Sequence, residues 1–336
     1  MRLVRLRSAL TSVLATVLAL VLVASAAHAE PGENGGVPAN VRDALDIAFR
    51  DLAEAKTKYD ASLARQAELT ENIRISQIRL ALLEAEVGTV ANAAYRGRSV
   101  NLAIAVLDSE NAETLLQTAA TVYYMASRSD RQLRELNTAR KLYAQQQRDL
   151  ENELKLNKEN LATMNQKKAD AELALKRTGG GALSPGVAMG PATAKPAPRN
   201  ANGTWPREGC TVRDPTPTGR CVSPRTLHAY SEVRLAGYTR YTSCFRSGGS
   251  GEHPLGKACD FSVFPSGTFV GSGAGGEAKT YGDKLAGWFV ANASRLGVLY
   301  VIWYQQIWHP GTGWRSYGGC CDPASRHTNH VHLSMI

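Results

Sequence analysis

Two short segments near the end of the chain concentrate groups that can do chemistry: His253-Pro-Leu-Gly-Lys-Ala-Cys-Asp260 and His330-Val-His332. The first holds an imidazole in a loop and a carboxylate near the start of the stretch Lys257 to Val263, which reads as a strand. In the second, two imidazoles one residue apart fall on one face of a strand, because side chains alternate. Three N and O donors with an imidazole to spare suit zinc. Three protein ligands leave a fourth position for water, whose pKa then falls to near neutrality. His253, Asp260 and His332 are the expected ligands of Zn2+. His330 is expected to orient or deprotonate the water, or to stabilise an oxyanion. Arg246, at the end of the preceding strand, could hold a substrate carboxylate or the developing oxyanion, and it also reads as an ordinary surface arginine.

The combination His253-x-x-Gly256-x-Ala258-x-Asp260 followed by His330-x-His332 resembles the motif of zinc peptidases that group D-alanyl-D-alanine carboxypeptidases with lysostaphin-type endopeptidases. The upstream Cys-Phe-Arg246-Ser turn is similar too. The resemblance implies a metallopeptidase acting on stem or bridge peptides of peptidoglycan. The sequence departs from that pattern twice. Gly251 stands where a Ser is common two residues before the first ligand, and no Glu stands three or four residues before the final His pair. The acid–base role then falls to His330, with His327 as the alternative, and simple dipeptidase chemistry is disfavoured. His228 and His309 read as structural or peripheral. The rival reading is a non-catalytic cell-wall-binding or adaptor protein that recruits or activates another hydrolase.

These residues need a frame to hold them. A helix is expected from Ser223 to about Ala236 and another from about Tyr281 to Leu296, stopping at Gly297. Strands are expected at Arg240–Arg246, Lys257–Val263, Leu299–Gln305 and His330–Met335. The fold class is α+β, a small antiparallel sheet with helices, preceded by a long α-helical coiled coil. Trp303 reads as core, whereas Trp308 and Trp314, in a Gly/Pro-containing loop, read as groove residues.

All six cysteines, all five tryptophans and every histidine except His28 lie after residue 203, so the packed, chemical half of the chain is its C-terminal part. Cysteine usage of this kind suits an oxidising compartment. Cys210 and Cys221 flank a turn-rich loop and are the favoured pair, and Cys259 points away from Asp260. Cys244, Cys259, Cys320 and Cys321 would form two further bridges of open connectivity.

The rest of the chain reads as delivery and support. Arg2, Arg5 and Arg7 precede an apolar run, and Ala27-His28-Ala29 offers small residues for cleavage, so residues 1–29 are an expected signal peptide. The expected setting is secreted, in the cell envelope or outside the cell. Residues 30–37 form a short segment and residues 38–177 an arm with heptads. On its first half the seam runs through Leu52, Tyr59, Gln66, Ile73, Leu80 and Val87, with Leu69 and Leu83 as companions. On its second half Leu133, Leu154, Leu161 and Leu175 hold one seam position, and Leu136, Tyr143, Leu150, Met164 and Ala171 the other. Arg140, Gln147 and Lys168 interrupt that seam. A break at Arg96-Gly97-Arg98 and an apolar patch, Val100 to Leu107, suggest two helices folded back on each other. A short helix is expected from Ser109 through Met125. The patch would either close the hairpin or dock a partner helix.

The Ala93-Ala-Tyr-Arg-Gly97 run and its apolar sequel resemble the coiled coils of secreted, division-associated wall hydrolases. That resemblance implies an arm that engages a membrane division complex and restrains the enzyme. Residues 178–203, rich in Gly, Ala and Pro, read as a flexible linker, and residues 204–336 as the zinc-peptidase-like domain. The net charge is +9, and residues 204–336 hold 13 Lys or Arg against 8 Asp or Glu. That excess would draw the domain to anionic wall polymers or simply keep it soluble. No basic-aromatic motif for nucleic acid is present.

Overall fold

The computed structural model describes residues 38–98, Ile104 and 111–336. The expected signal peptide, residues 30–37 and nearly all of the apolar patch between the arms lie outside the described residues.

Helix α1, Ala39–Ala93, ends in a π-helical turn over Ala94–Arg98. Helix α2 spans Ala112–Arg177. Asn111 caps α2 by accepting from the Thr114 backbone N–H, Glu113 sits in the first turn, and Lys176 and Arg177 close the last, all favourable to the helix dipole. The segment Leu115 to Met125 is part of α2 rather than a separate short helix. No Gly or Pro interrupts Ala112 to Arg177, so nothing breaks the helix there. At 55 and 66 residues, the helices run about 80 and 100 Å.

The two helices pack as a hairpin. Leu69, Leu83 and Leu136 are buried in its seam. Tyr59, Ile73, Leu80 and Val87 are half-buried, as are Tyr143, Leu150 and Met164. In the companion row Leu133, Leu154 and Leu161 stay exposed, and only Leu175, at the base of the hairpin, is buried. Arg140, which interrupts the heptad, bonds across to Glu84 at 2.8 Å, and Ser62 donates to Glu153 at 2.6 Å. These polar contacts fix register more than they stabilise.

The C-terminal part is α+β. A two-stranded ladder, β1 (Val212–Arg213) with β2 (Cys221–Val222), is closed by the Cys210–Cys221 disulfide, the pair favoured from sequence. Then follow α3 (Pro224–Leu235), β3 (Thr242–Ser243), β4 (Ala258–Ser262), α4 (Gly276–Ala291), α5 (Ala293–Leu296), β5 (Val298–Trp303), β6 (Gln306–His309), β7 (Gly313–Ser316) and β8 (His330–Met335). The last six strands form one antiparallel sheet in the order β3-β4-β8-β5-β6-β7.

Strands β6 and β7 are additional to the four expected strands. Trp308 and Trp314 are therefore cross-strand partners within the sheet rather than loop residues. Trp303 is fully buried, as expected. The remaining bridges are Cys244–Cys259 and the adjacent pair Cys320–Cys321.

Alternation along β4, β5 and β8 gives the sheet two different faces. Cys259, Phe261, Val301, Trp303, Val331, Leu333 and Met335 pack with Val233, Leu285, Trp288 and Phe289 in the main core. The opposite face carries Tyr300 and Ile302 together with Asp260, His330 and His332. It is covered by the base of the hairpin: Leu45, Phe49 and Leu52 of α1 and Ala171, Ala174 and Leu175 of α2 share a cluster with Tyr300, Ile302, Ile307 and Tyr317. Leu52, read as the first seam residue of a coiled coil, instead packs on the domain beside Gly311.

The expected flexible linker is a docked strap. Gly181 and Ser316 exchange backbone bonds with that segment's edge (Gly181 N–H to Ser316 O, Ser316 N–H to Ala182 O), and Leu183 forms a bridge with Arg315. Further along, the Gly190 N–H donates to Gly287 O and the Ala197 N–H to Arg295 O. Ala194 and Ala197 are buried. Composition suggested a chain with too little to bury. Small residues instead allow its backbone to lie against the sheet edge and α4.

Candidate metal centre

Each expected ligand is placed by a different element. His253 lies in the loop before β4, Asp260 at the centre of β4, and His332 directly opposite it on β8, as a cross-strand pair. Their donor atoms lie within 4.8 Å of one another, and all three residues are buried. His253 Nε2 is 3.2 Å from Asp260 Oδ2, and His332 Nδ1 is 2.8 Å from Asp260 Oδ1.

Hydrogen bonds on the far side of each ring set the donor atoms. The Cys244 carbonyl can only accept, so His253 Nδ1 carries the proton and Nε2 presents its lone pair to the cluster. His332 Nε2 is 2.8 Å from Ser334 Oγ, which lets Nε2 donate there and Nδ1 face Asp260. Burial raises the Asp260 carboxyl, but the charges of His253 and His330 and hydrogen bonds from His253 and His332 outweigh it and hold the group well below the usual carboxylate range. A metal ion would take the place of the protons that His253 and His332 share with Asp260, and the two imidazoles with the carboxylate would then be a donor set that fits zinc.

His330 shares the strand face with His332. Its Nδ1 faces the Asn329 side chain at 2.7 Å, and its Nε2 lies 3.5 Å from Asp260 Oδ1. His327 is equally buried, with ring centroids 4.8 Å from His330 and 5.7 Å from His332. Its backbone φ of 51° is uncommon for histidine and reflects the tight loop that carries it into the cluster. Arg246 lies half-buried in the loop after β3, beyond the strand it was expected to end.

Local backbone explains the motif. Gly256 has φ +66°, and a Cβ there would lie 2.6 Å from Cys210 Sγ and 2.8 Å from Val222 Cα, so the loop carrying His253 can seat on the β1–β2 ladder only with glycine. Gly251 has φ +90°, which accounts for glycine in place of serine two residues before the first ligand.

A family model described as the C-terminal domain of VldE matches residues 218–331. The match takes in His253, Asp260 and His330 and stops one residue before His332. It covers about a third of the chain and leaves the hairpin and strap outside. No curated protein and no solved structure matches the chain.

Several residues around the cluster carry no signal in the sequence. The Tyr300 ring stacks on His332 at 5.5 Å, and its hydroxyl donates to Asp46 of α1 at 2.8 Å. One turn further along α1, Arg50 pairs with Glu252, the residue before His253. Phe49 stacks on His309 at 4.5 Å. The Gly311 N–H donates to His309 Nδ1, so its Nε2 donates to the Phe49 carbonyl at 3.1 Å. His309, expected to be structural or peripheral, is thus structural, a fully buried contact between domain and arm. A cleft of about 1220 Å³ lies between the arm and the domain, lined in part by Arg65, Arg199, Trp205 and Trp308. None of the three ligand residues lines it. The cluster is linked to α1 through Tyr300, which stacks on His332 and bonds Asp46, while Phe269 packs against His330 from within the domain.

Proposed function

We propose that the chain is a secreted zinc peptidase of the cell wall, cutting stem or cross-link peptides of peptidoglycan and restrained by its helical arm. The observation that carries this reading is the convergence of His253 Nε2, Asp260 and His332 Nδ1 within 4.8 Å, with His330 alongside. Those three residues would hold the metal. Bound zinc would supply a water of near-neutral pKa and polarise the scissile carbonyl. His330 Nε2 is placed to take a proton on the cluster side and return it to the leaving amine, while Asn329 holds the ring by Nδ1. Arg246 would bind a substrate carboxylate or the developing oxyanion. Asp260, buried and ionised, balances the cationic surroundings. Cell-envelope localisation and engagement of a membrane division complex by the arm belong to the same proposal. The oxidised cysteines are consistent with an extracellular setting.

The burial of the cluster, with Tyr300 tied both to His332 and to Asp46 of α1, supports restraint, since no peptide can reach residues that are at most 1% exposed. The same burial favours a second reading, a non-catalytic wall adaptor. The experiment that separates them measures the zinc content of the full chain with disulfides intact, and peptide release from purified peptidoglycan, for the native protein, Arg50→Ala and Asp260→Ala/His332→Ala. One zinc per chain, with cleavage in Arg50→Ala and loss of both in the double variant, is expected. No zinc in any protein would leave the adaptor.

A further inference from the structure

We infer that Phe269 covers the His330 side of the metal cluster and selects, by size, the substrate residue admitted there, on the leaving side of the scissile bond. The selection rests on the peptidase reading above, whereas the cover stands without it.

Phe269 lies in the segment between β4 and α4. Its ring meets His330 at a centroid distance of 5.7 Å and Tyr241 at 5.1 Å, both edge to face. His330 is wholly buried, whereas Phe269 and Tyr241 are half-buried. A half-exposed ring resting on a buried one stands between it and solvent. The two aromatic residues are held in different ways. The Tyr241 carbonyl accepts from the Ser262 N–H at 2.8 Å, which fixes it to the end of β4. Phe269 belongs to a stretch without helix or strand in which glycine stands at 267, 271, 273 and 275. Asn329 ties its middle down, Nδ2 donating to the Val270 carbonyl at 2.7 Å, and Ser262 Oγ reaches the Thr268 carbonyl at 3.4 Å.

The Val270 carbonyl can only accept, so the Asn329 amide is oriented with Oδ1 toward His330 Nδ1, 2.7 Å away, and Nδ1 carries the proton. One amide thus holds the cover shut and leaves His330 Nε2 to face Asp260. Lifting the cover breaks the bond to Val270 and need not disturb the bond to His330. In the proposed reaction His330 returns a proton to the leaving amine. The residue bearing that amine must then lie beside the imidazole, against the Phe269 ring. The ring, backed by Tyr241, is an apolar wall that suits a small apolar side chain, and a larger side chain would have to push it further from His330.

The cover is tested on the full chain with diethyl pyrocarbonate, which acylates accessible imidazoles, each histidine being followed by mass spectrometry. Phe269→Ala is expected to speed modification of His330 about 10-fold, because two ring contacts are lost. Phe269→Leu should stay nearer the native rate, and His309, buried against the arm, should not change. An unchanged rate at His330, or an equal rise at His309, would overturn the cover. Selection is tested in the Arg50→Ala background, with peptides carrying alanine or leucine after the bond cut in wall peptides. Adding Phe269→Ala is expected to raise the ratio of kcat/KM for leucine over alanine about 10-fold. An unchanged ratio would overturn the selection and leave the peptidase reading standing. Cleavage of neither peptide would overturn the peptidase reading and the selection with it, and the His330 rates would still decide the cover.

Discussion

The central sheet buries both of its faces, but in different ways. On one face Phe261, Val331, Leu333 and Trp303 meet the domain's own helices, and burial is apolar against apolar. On the other, Asp260, His330 and His332 are just as buried, yet their neighbours Tyr300 and Ile302 pack against the base of a hairpin that begins more than 150 residues earlier in the chain. The first face is bound to folding. The second is polar enough to tolerate water, and its cover is attached through Leu45 and Phe49 and through individual polar contacts at Asp46, Arg50 and His309. The proposed peptidase would need this asymmetry, a rigid back and a front that can open.

Substitutions can test that contrast. The largest effect is expected on the apolar face. Trp303→Ala would leave a cavity above Gly282 and remove the indole N–H bond to Asp283, costing about 3–5 kcal/mol of global stability in denaturant unfolding. Next, Leu45→Ala should cost about 2–3 kcal/mol, felt as loss of hairpin docking. Amide exchange around β8 would then quicken while the rest of the domain keeps its protection. A fall in global stability as large as that of Trp303→Ala would contradict the distinction between the faces.

The smallest effect, per unit of the variable, is expected from pH. Burial pushes His309 down to about 3, against the weaker upward effect of its bond to the Phe49 carbonyl. A second ring proton would confront the Gly311 N–H. Below about pH 6.5 the unfolded or undocked ring binds a proton that the docked ring refuses, so docking is lost as pH falls from about 6.5 toward 3. The slope is at most about 1.4 kcal/mol per pH unit. Thermal unfolding of the native protein and of His309→Gln across that range should show the slope only in the former.

Much of this frame is legible in the residues. His330-x-His332 and the Asp260 strand appear where alternation places them, and Ser223 starts α3 as a cap accepting from the Thr226 N–H. The hairpin β5–β6 escaped because its two-residue turn, Tyr304-Gln305, has φ of 51° and 59° without the Asn or Gly that normally announces such a turn. The cost is met by loop 326–327, whose carbonyls accept from both turn N–H groups. The strap was missed because Gly, Ala and Pro carry no periodicity whether they are free or docked. Asp46, Phe49 and Arg50 looked like ordinary helix residues, since a heptad reports that one stripe of a helix is apolar and not which partner covers it.

What the amino-acid sequence determined by itself was local: helical periodicity and the Ser223 cap, strand alternation, the types of residue able to ligate a metal, and the Cys210–Cys221 loop. Each depends on spacing over a few residues. Only the tertiary structure decided that His253, from a loop, meets β4 and β8, that Cys244 bridges to Cys259, and that the hairpin's base packs on Tyr300 and Ile302 with Arg50 on Glu252. Those are contacts between segments far apart in the chain. They arise from the sheet's need to bury its second face, a demand that no local pattern encodes.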